Sequence, residues 1–333
     1  MNKLTFLTYS QSFYIDNTVR FFDSDTLNII RKIGPLAAIT DFSILLGGSV
    51  SNDRFTNEGK ELKYRLGKYW TKTNYADTTA LIVGTAHYPG FFDNIAYRKI
   101  GGRPVLQYSL ISDIVLSKIN RPDGILEIEY GEYPQWVPSY DYQFELKNAY
   151  KNGTIKKLDS HITTDSRKPD EYDKDFEPQE HQIYEYKGKK YTRVKANTLD
   201  NIFKLSDGLI HNRDDYVWVE ISPVKWLVDE DADIAISKNI LFAGVQFKHN
   251  RNYNGDFSKT DINMFMNTYL IKDLFKCNSI INKTSNSTNE ELLEEIKVLR
   301  EKLEIANQRN NELTKENTSY KQRIRRIQDI TKE

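Results

Sequence analysis

Ile125-Leu126-Glu127-Ile128-Glu129-Tyr130-Gly131-Glu132-Tyr133-Pro134-Gln135 is the stretch from which the class of the chain is read. Leu126, Ile128 and Tyr130 alternate with Glu127 and Glu129, a period of two that sends successive side chains to opposite faces of a strand. Gly131 to Gln135 brings the glycine and proline that punctuate turns, and the strand is expected to stop there.

Downstream, Ile183 to Tyr186 and Tyr191 to Val194 read as a hairpin about Lys187-Gly188-Lys189. Tyr216 to Val228 and Ile234 to Ser237 read as strands on either side of Asp229 to Asp233. Upstream, Ile39 to Gly48 reads as a strand entering a glycine loop. YRLGKYWTKT at 64–73, ALIVG at 80–84 and RKIGGRPVL at 98–106 are short β-type segments. Thr26 to Ile33 suits a brief helix ended by Gly34-Pro35, and Ser109 to Ile119 suits a short helix or a pair of strands. Glu145 to Leu158 is mixed and interrupted at Gly153, and the charged, proline-containing segment Thr163 to Glu180 is expected to be a mobile surface loop. Thr260 to Phe275 carries Ile262, Phe265, Met266, Tyr269 and Leu270 at helical spacing and predicts an amphipathic helix.

The last long segment has another period. From Leu292 to Ile327 apolar and asparagine positions alternate in steps of four and three. Ile296, Leu303, Asn310, Asn317 and Ile324 fall at a, and Leu292, Leu299, Ala306, Leu313, Tyr320 and Ile327 at d. Asparagine at a favours a parallel two-stranded coil in fixed register, and Glu295 faces Arg300, and Glu316 Lys321, of the partner helix. A solvated single helix is the plainer alternative. Such a rod of about 36 residues would extend roughly 54 Å. The Asn-, Ser- and Thr-rich Cys277 to Asn289 is the linker, with Ser287 and Glu290 offering a capping box.

Composition sets further bounds. The 47 basic and 47 acidic residues of this 333-residue chain cancel, so no global field draws it to nucleic acid or an anionic membrane. The single cysteine, Cys277, excludes an internal disulfide framework and fits a reducing compartment. No apolar run approaches the roughly 18 residues of a membrane span, and MNKLTFLTYSQSFYID makes a poor signal peptide. A cytoplasmic protein, or one within a phage particle, is expected.

Several pieces resemble a family of uncharacterised bacterial and prophage domains related in fold to C-type lectins and formylglycine-generating enzymes. They are Gly131 to Gln135, Pro223-Val224-Lys225-Trp226-Leu227-Val228, Ile234-Ala235-Ile236-Ser237, Thr260 to Tyr269 with Asn267, Tyr69-Trp70-Thr71-Lys72, and Gly101-Gly102-Arg103-Pro104-Val105-Leu106. The family's closing elements lie here at 40–106 and its opening ones at 131–275. The resemblance therefore implies a circularly permuted lectin-like head, with Pro104 to Leu106 near the strand at Ile125 to Tyr130; two incomplete domains are the alternative. The resulting expectation is an α+β chain with a mainly β head in halves 1–125 and 126–275, a linker at 276–289 and a parallel coiled coil at 290–330.

No catalytic constellation stands out. The paired cysteines of the formylglycine-generating relatives are missing, and the five histidines, His87, His161, His181, His211 and His249, lack the paired spacing of zinc ligands. Asp229, Glu230, Asp231 and Asp233 have the composition of a calcium loop, but a solvated turn explains them as well. Trp218 and Trp226 read as core and Arg103 as a buried structural arginine. Lys321, Arg323, Arg325 and Arg326 alone favour nucleic acid, and they also suit a helix terminus. No cofactor or metal is expected. Candidate ligand-binding residues are Tyr69, Trp70, Lys72, Tyr75, His87, Tyr88, Arg251 and Tyr253, on the loops of a lectin-like scaffold. The expected function is a non-enzymatic recognition or assembly protein. It would dimerise through Leu292, Ile296, Leu299, Leu303, Asn310, Leu313, Asn317, Ile324 and Ile327, and bind an unidentified protein or glycan, with no role at a membrane or on nucleic acid. A structural component of a phage or mobile-element particle is the alternative.

Overall fold

The computed structural model describes residues 4–6, 13–15, 18–20, 37–50, 65–76, 78–83, 91–94, 96–121, 124–167, 171, 174–198, 204–249 and 253–276, all of them in the unit Met1–Cys277. The strands, in order, are β1 (Phe13–Ile15), β2 (Thr18–Arg20), β3 (Tyr69–Ala76), β4 (Thr79–Val83), β5 (Phe91–Asn94), β6 (Val105–Gln107), β7 (Ser117–Asn120), β8 (Leu126–Trp136), β9 (Lys156–Asp165), β10 (Pro178–Tyr186), β11 (Lys189–Lys195), β12 (Tyr216–Asp229) and β13 (Ile234–Ser237). The helices are α1 (Asp41–Leu45), α2 (Tyr140–Lys151) and α3 (Asp261–Phe265), the last running through a π turn (Met266–Leu270) into α4 (Ile271–Lys276). The heptad segment, the linker and Thr26 to Ile33 lie outside the described residues.

An eight-stranded sheet runs in the order β6-β13-β12-β11-β10-β9, and β8 lies on the other side of β12 with β7 beyond it. Every pairing within it is antiparallel. β3, β4 and β5 form a separate antiparallel sheet. The described part is thus mostly β, as the patterning implies.

β8 does not stop at Gly131. Gly131 takes φ 74°, and a Cβ there would come 2.9 Å from the Leu274 carbonyl oxygen, so a bare backbone lets the strand pass beneath α4. Opposite, Pro223 of β12 offers no N–H, and the pairing shifts between Pro223 and Lys225. The Gln135 amide fills the gap, donating to the carbonyls of Ser222 and Pro223, each at 3.0 Å.

Other elements also depart from expectation. Asp41–Leu45 is a helix and not a strand, because the Thr40 hydroxyl caps it by accepting from Ser43 N at 3.2 Å. Ser109 to Ile119 holds the end of a 3₁₀ turn (Tyr108–Leu110) and the start of edge strand β7. Thr163 to Glu180 is not a loop throughout, since β9 reaches Asp165 and β10 begins at Pro178. Arg167 and Phe176 tether its described residues. Arg167 donates through Nε to both oxygens of buried Asp165 at 2.7 and 3.0 Å, and Phe176 stacks 5.2 Å from Tyr269. β6 pairs with β13, as Ala235 opposite Leu106, and does not lie beside β8. The hairpin turn forms as read, with Lys187 at φ 49° and Gly188 at φ 75° joining β10 to β11.

One apolar core joins Leu4, Trp70 and Leu106 from the first third of the chain to Ile128, Trp226, Phe247 and Leu270. Trp226 donates its indole N–H to the Tyr130 carbonyl at 2.8 Å, and the Trp70 and Phe247 rings lie 5.1 Å apart. A satellite core of Leu146, Ala149, Ile155, Tyr191 and Trp218 seats α2 on the outer end of the sheet. Each large side chain buried in this way contributes about 1.5–3 kcal/mol.

Candidate functional site

Three of the eight candidate binding residues face inward. Tyr69, Trp70 and Tyr253 are buried, and the Tyr253 hydroxyl donates to the Lys72 carbonyl. Such rings pack the core and offer no face to a ligand. Tyr75 lies on β3, and His87, Tyr88 and Arg251 fall outside the described residues. Of those whose side chains are described, Lys72 lines a groove.

That groove encloses about 640 Å³ between the β6–β13 end of the large sheet, Lys72 of β3 and the segment 255–263. Val105, Leu106, Ile234 and Phe257 supply apolar surface, and Lys72, Gln107, Asp233, Asp256 and Asn263 supply polar groups. β6 is the sheet edge here. Val105 exchanges backbone hydrogen bonds with Thr5 at 2.9 and 3.1 Å, continuing the sheet by one residue.

Both carboxylates are held in place. Asp233, in a left-handed conformation at φ 52°, accepts from Gln107 Nε2 at 2.8 Å, Ser109 N at 2.6 Å and Ser109 Oγ at 2.8 Å. These bonds, Gln107 first, keep its carboxyl below the usual range against a small opposing effect of burial. Asp256 caps the 3₁₀ turn Phe257–Lys259 by accepting from Ser258 N at 3.1 Å and Ser258 Oγ at 2.5 Å. Ser258, then Lys259, hold that carboxyl low as well. Neither is tuned toward neutral pH as an acid–base catalyst would be.

A second polar group is buried behind Arg167. Arg167 reaches Gln246 Oε1 at 3.2 Å, and Arg98 is fully buried nearby. Burial, and next the like charge of Arg167, push the Arg98 guanidinium down to about 10, while Asp165, Glu171 and Asp261 pull it back up. His249 joins this region to the helix start, its Nδ1 lying 3.0 Å from both Asp261 oxygens and its Nε2 3.3 Å from Asp175.

Asp229, His161 and His211 have local partners. Asp229 accepts from the backbone of Asp231 and Ala232 at 3.2 and 3.3 Å, the bonding of a turn. His161 pairs with Glu180, and His211 with Asp207. Among the described residues no group of three or more His, Cys, Asp or Glu is arranged to hold a metal ion. None of the described helices is long and apolar enough to cross a membrane.

No family model matches the chain, and no characterised protein or solved structure matches it. The groove residues that sequence reading missed are Gln107, Asp256 and Asn263. Their only local signal is Asp256-Phe257-Ser258, an Asx turn opening a helix, and that pattern marks a cap before it marks a site.

Proposed function

We propose that this chain is a non-enzymatic recognition or assembly protein, with a lectin-like head in permuted order carried on a parallel two-stranded coil. The groove at Lys72, Gln107, Asp233 and Asp256 carries the reading. Its two carboxylates are held ionised and oriented by their neighbours, the requirement for recognising a ligand. The permuted order draws support from β6 lying against β13, which sets Pro104 to Gln107 beside Ile234 to Ser237, and from the core those segments share. Two heads on one rod would convert weak single contacts into avidity.

The test uses the full-length chain, a version ending at Ser285 and the full-length variant Lys72→Glu, each immobilised against a cell lysate and weighed by light scattering. The expected result is a dimer that loses mass and partners on truncation, and partners that the Lys72→Glu groove no longer retains. Equal masses and an identical set of partners for all three would overturn the proposal.

A further inference from the structure

The outer end of the large sheet carries a surface unlike the groove. On the solvent side of α2, Tyr140, Phe144, Lys147 and Lys151 follow one another at helical spacing, and the two rings are 58% and 60% exposed. Beside the C-terminal turn of α2, Tyr150 and Tyr216, 41% and 59% exposed, flank Arg193 of β11. The Arg193 guanidinium carbon lies 5.1 Å from the Tyr150 ring centroid and 4.1 Å from that of Tyr216, a layered arrangement of ring, cation and ring. Tyr184 and Trp218 support it from below, each with an edge-on contact of 5.7 Å to Tyr150.

Charge on this face is uneven. Glu145, Glu185, Glu220 and Asp214 already hold Lys187, Lys156, Lys189 and Lys195. Lys147, Lys151 and Lys157 have no carboxylate partner among the described residues, and Lys157 stands opposite Tyr184 in the β9–β10 register. Asp141 and Asp159 are the acidic residues of α2 and β9 left over, so the cationic excess is small. The exposed groups are therefore flat rings interleaved with cations and few aliphatic side chains.

We propose that this face binds single-stranded nucleic acid, with Phe144, Tyr150 and Tyr216 stacking on bases and Lys147, Lys151 and Arg193 meeting phosphates. A duplex shows its phosphates but hides its base faces, so the rings select the single strand. A sugar would use the rings without needing the cations. A protein partner would also use rings and arginine, but lysine is depleted at such interfaces, and here Lys147 and Lys151 line the exposed row with Tyr140 and Phe144. The site is separate from the groove and stands or falls without it.

The experiment is fluorescence anisotropy with a labelled oligothymidine of about 15 nucleotides and the full-length chain at about 50 mM salt. Saturable binding is expected, with Tyr216→Ala and the double variant Lys147→Glu, Lys151→Glu each weakening it by about tenfold, and a matching duplex binding more weakly than the single strand. Both variants alter solvent-facing side chains, and circular dichroism confirms that they fold. Three results would overturn the proposal: no saturable binding, unchanged affinity in both variants, which moves the contact to the arginines at 323–326, or equal displacement of the oligonucleotide by polyglutamate.

Discussion

His181 Nε2 lies 2.6 Å from Thr164 Oγ1 across the β9–β10 pair, and both side chains are buried. Burial pushes the imidazole down to about 4, against a weaker upward pull from a backbone hydrogen bond at Arg193. The folded protein therefore keeps His181 neutral where an unfolded chain, with an ordinary value near 6.5, takes up a proton.

The stability that this neutral histidine contributes is fully present above about pH 6.5 and is lost as pH falls toward about 4. The loss is on the order of 3 kcal/mol. Urea titrations of wild type and His181→Gln at several pH values in that window should show the wild type losing stability faster. Parallel curves would mean that the ring protonates freely in the fold.

Asp41 is buried at the start of α1 and joins three separate segments. Its Oδ1 accepts from Arg65 Nη2 at 2.7 Å, and its Oδ2 accepts from Val137 N and Ser206 N, each at 3.0 Å. Asp41→Ala strands two backbone donors and a guanidinium, and we expect a loss of about 3–5 kcal/mol. Asp41→Asn, which keeps one carbonyl acceptor, should lose less. Denaturant midpoints with unchanged slopes check the order of the two variants.

A Cβ at Gly102 would collide with the Phe242 ring, well inside van der Waals contact. Gly102→Ala should cost about 3 kcal/mol. The double variant Gly102→Ala, Phe242→Leu should recover part of that loss, because a smaller side chain vacates the space. A thermal melt of the two variants and of Phe242→Leu alone separates relief of the clash from general weakening of the core.

Tyr133 is buried, and its hydroxyl has no hydrogen-bond partner among the described residues. Burial raises its phenol well above the usual range, and the nearby Asp273 carboxylate raises it further. Tyr133→Phe removes a polar atom that gains nothing from being inside, so stability should hold or rise by up to about 1 kcal/mol. A loss larger than that, measured by urea unfolding, would show that the hydroxyl has a water or side-chain partner.

How far the candidate site could be read from the chain differs residue by residue. Lys68 and Lys72 flank Tyr69 and Trp70, which makes the pair look exposed. Yet Trp70 sits against Phe247, and Tyr69 beneath Arg103, whose Nη1 donates to its hydroxyl at 3.2 Å. The partners that bury them lie more than thirty residues away in one case and more than a hundred in the other. Arg103 was readable as structural from Gly-Gly-Arg-Pro, but its acceptors, the Ser237 carbonyl and the Tyr69 hydroxyl, were not.

The chain alone determined the features whose causes are local. Alternation at Leu126 to Tyr130, the Lys187-Gly188 turn and the apolar stripe of Thr260 to Phe275 each became the element expected, because period and turn chemistry act over a few residues. Only the tertiary structure decided that β8 runs through Gly131 beneath α4, that β6 takes β13 as its neighbour, and that Tyr150 and Tyr216 close on Arg193. Those outcomes depend on which distant faces are buried together, and that free energy is shared among partners far apart in the chain, so no short window of sequence contains it.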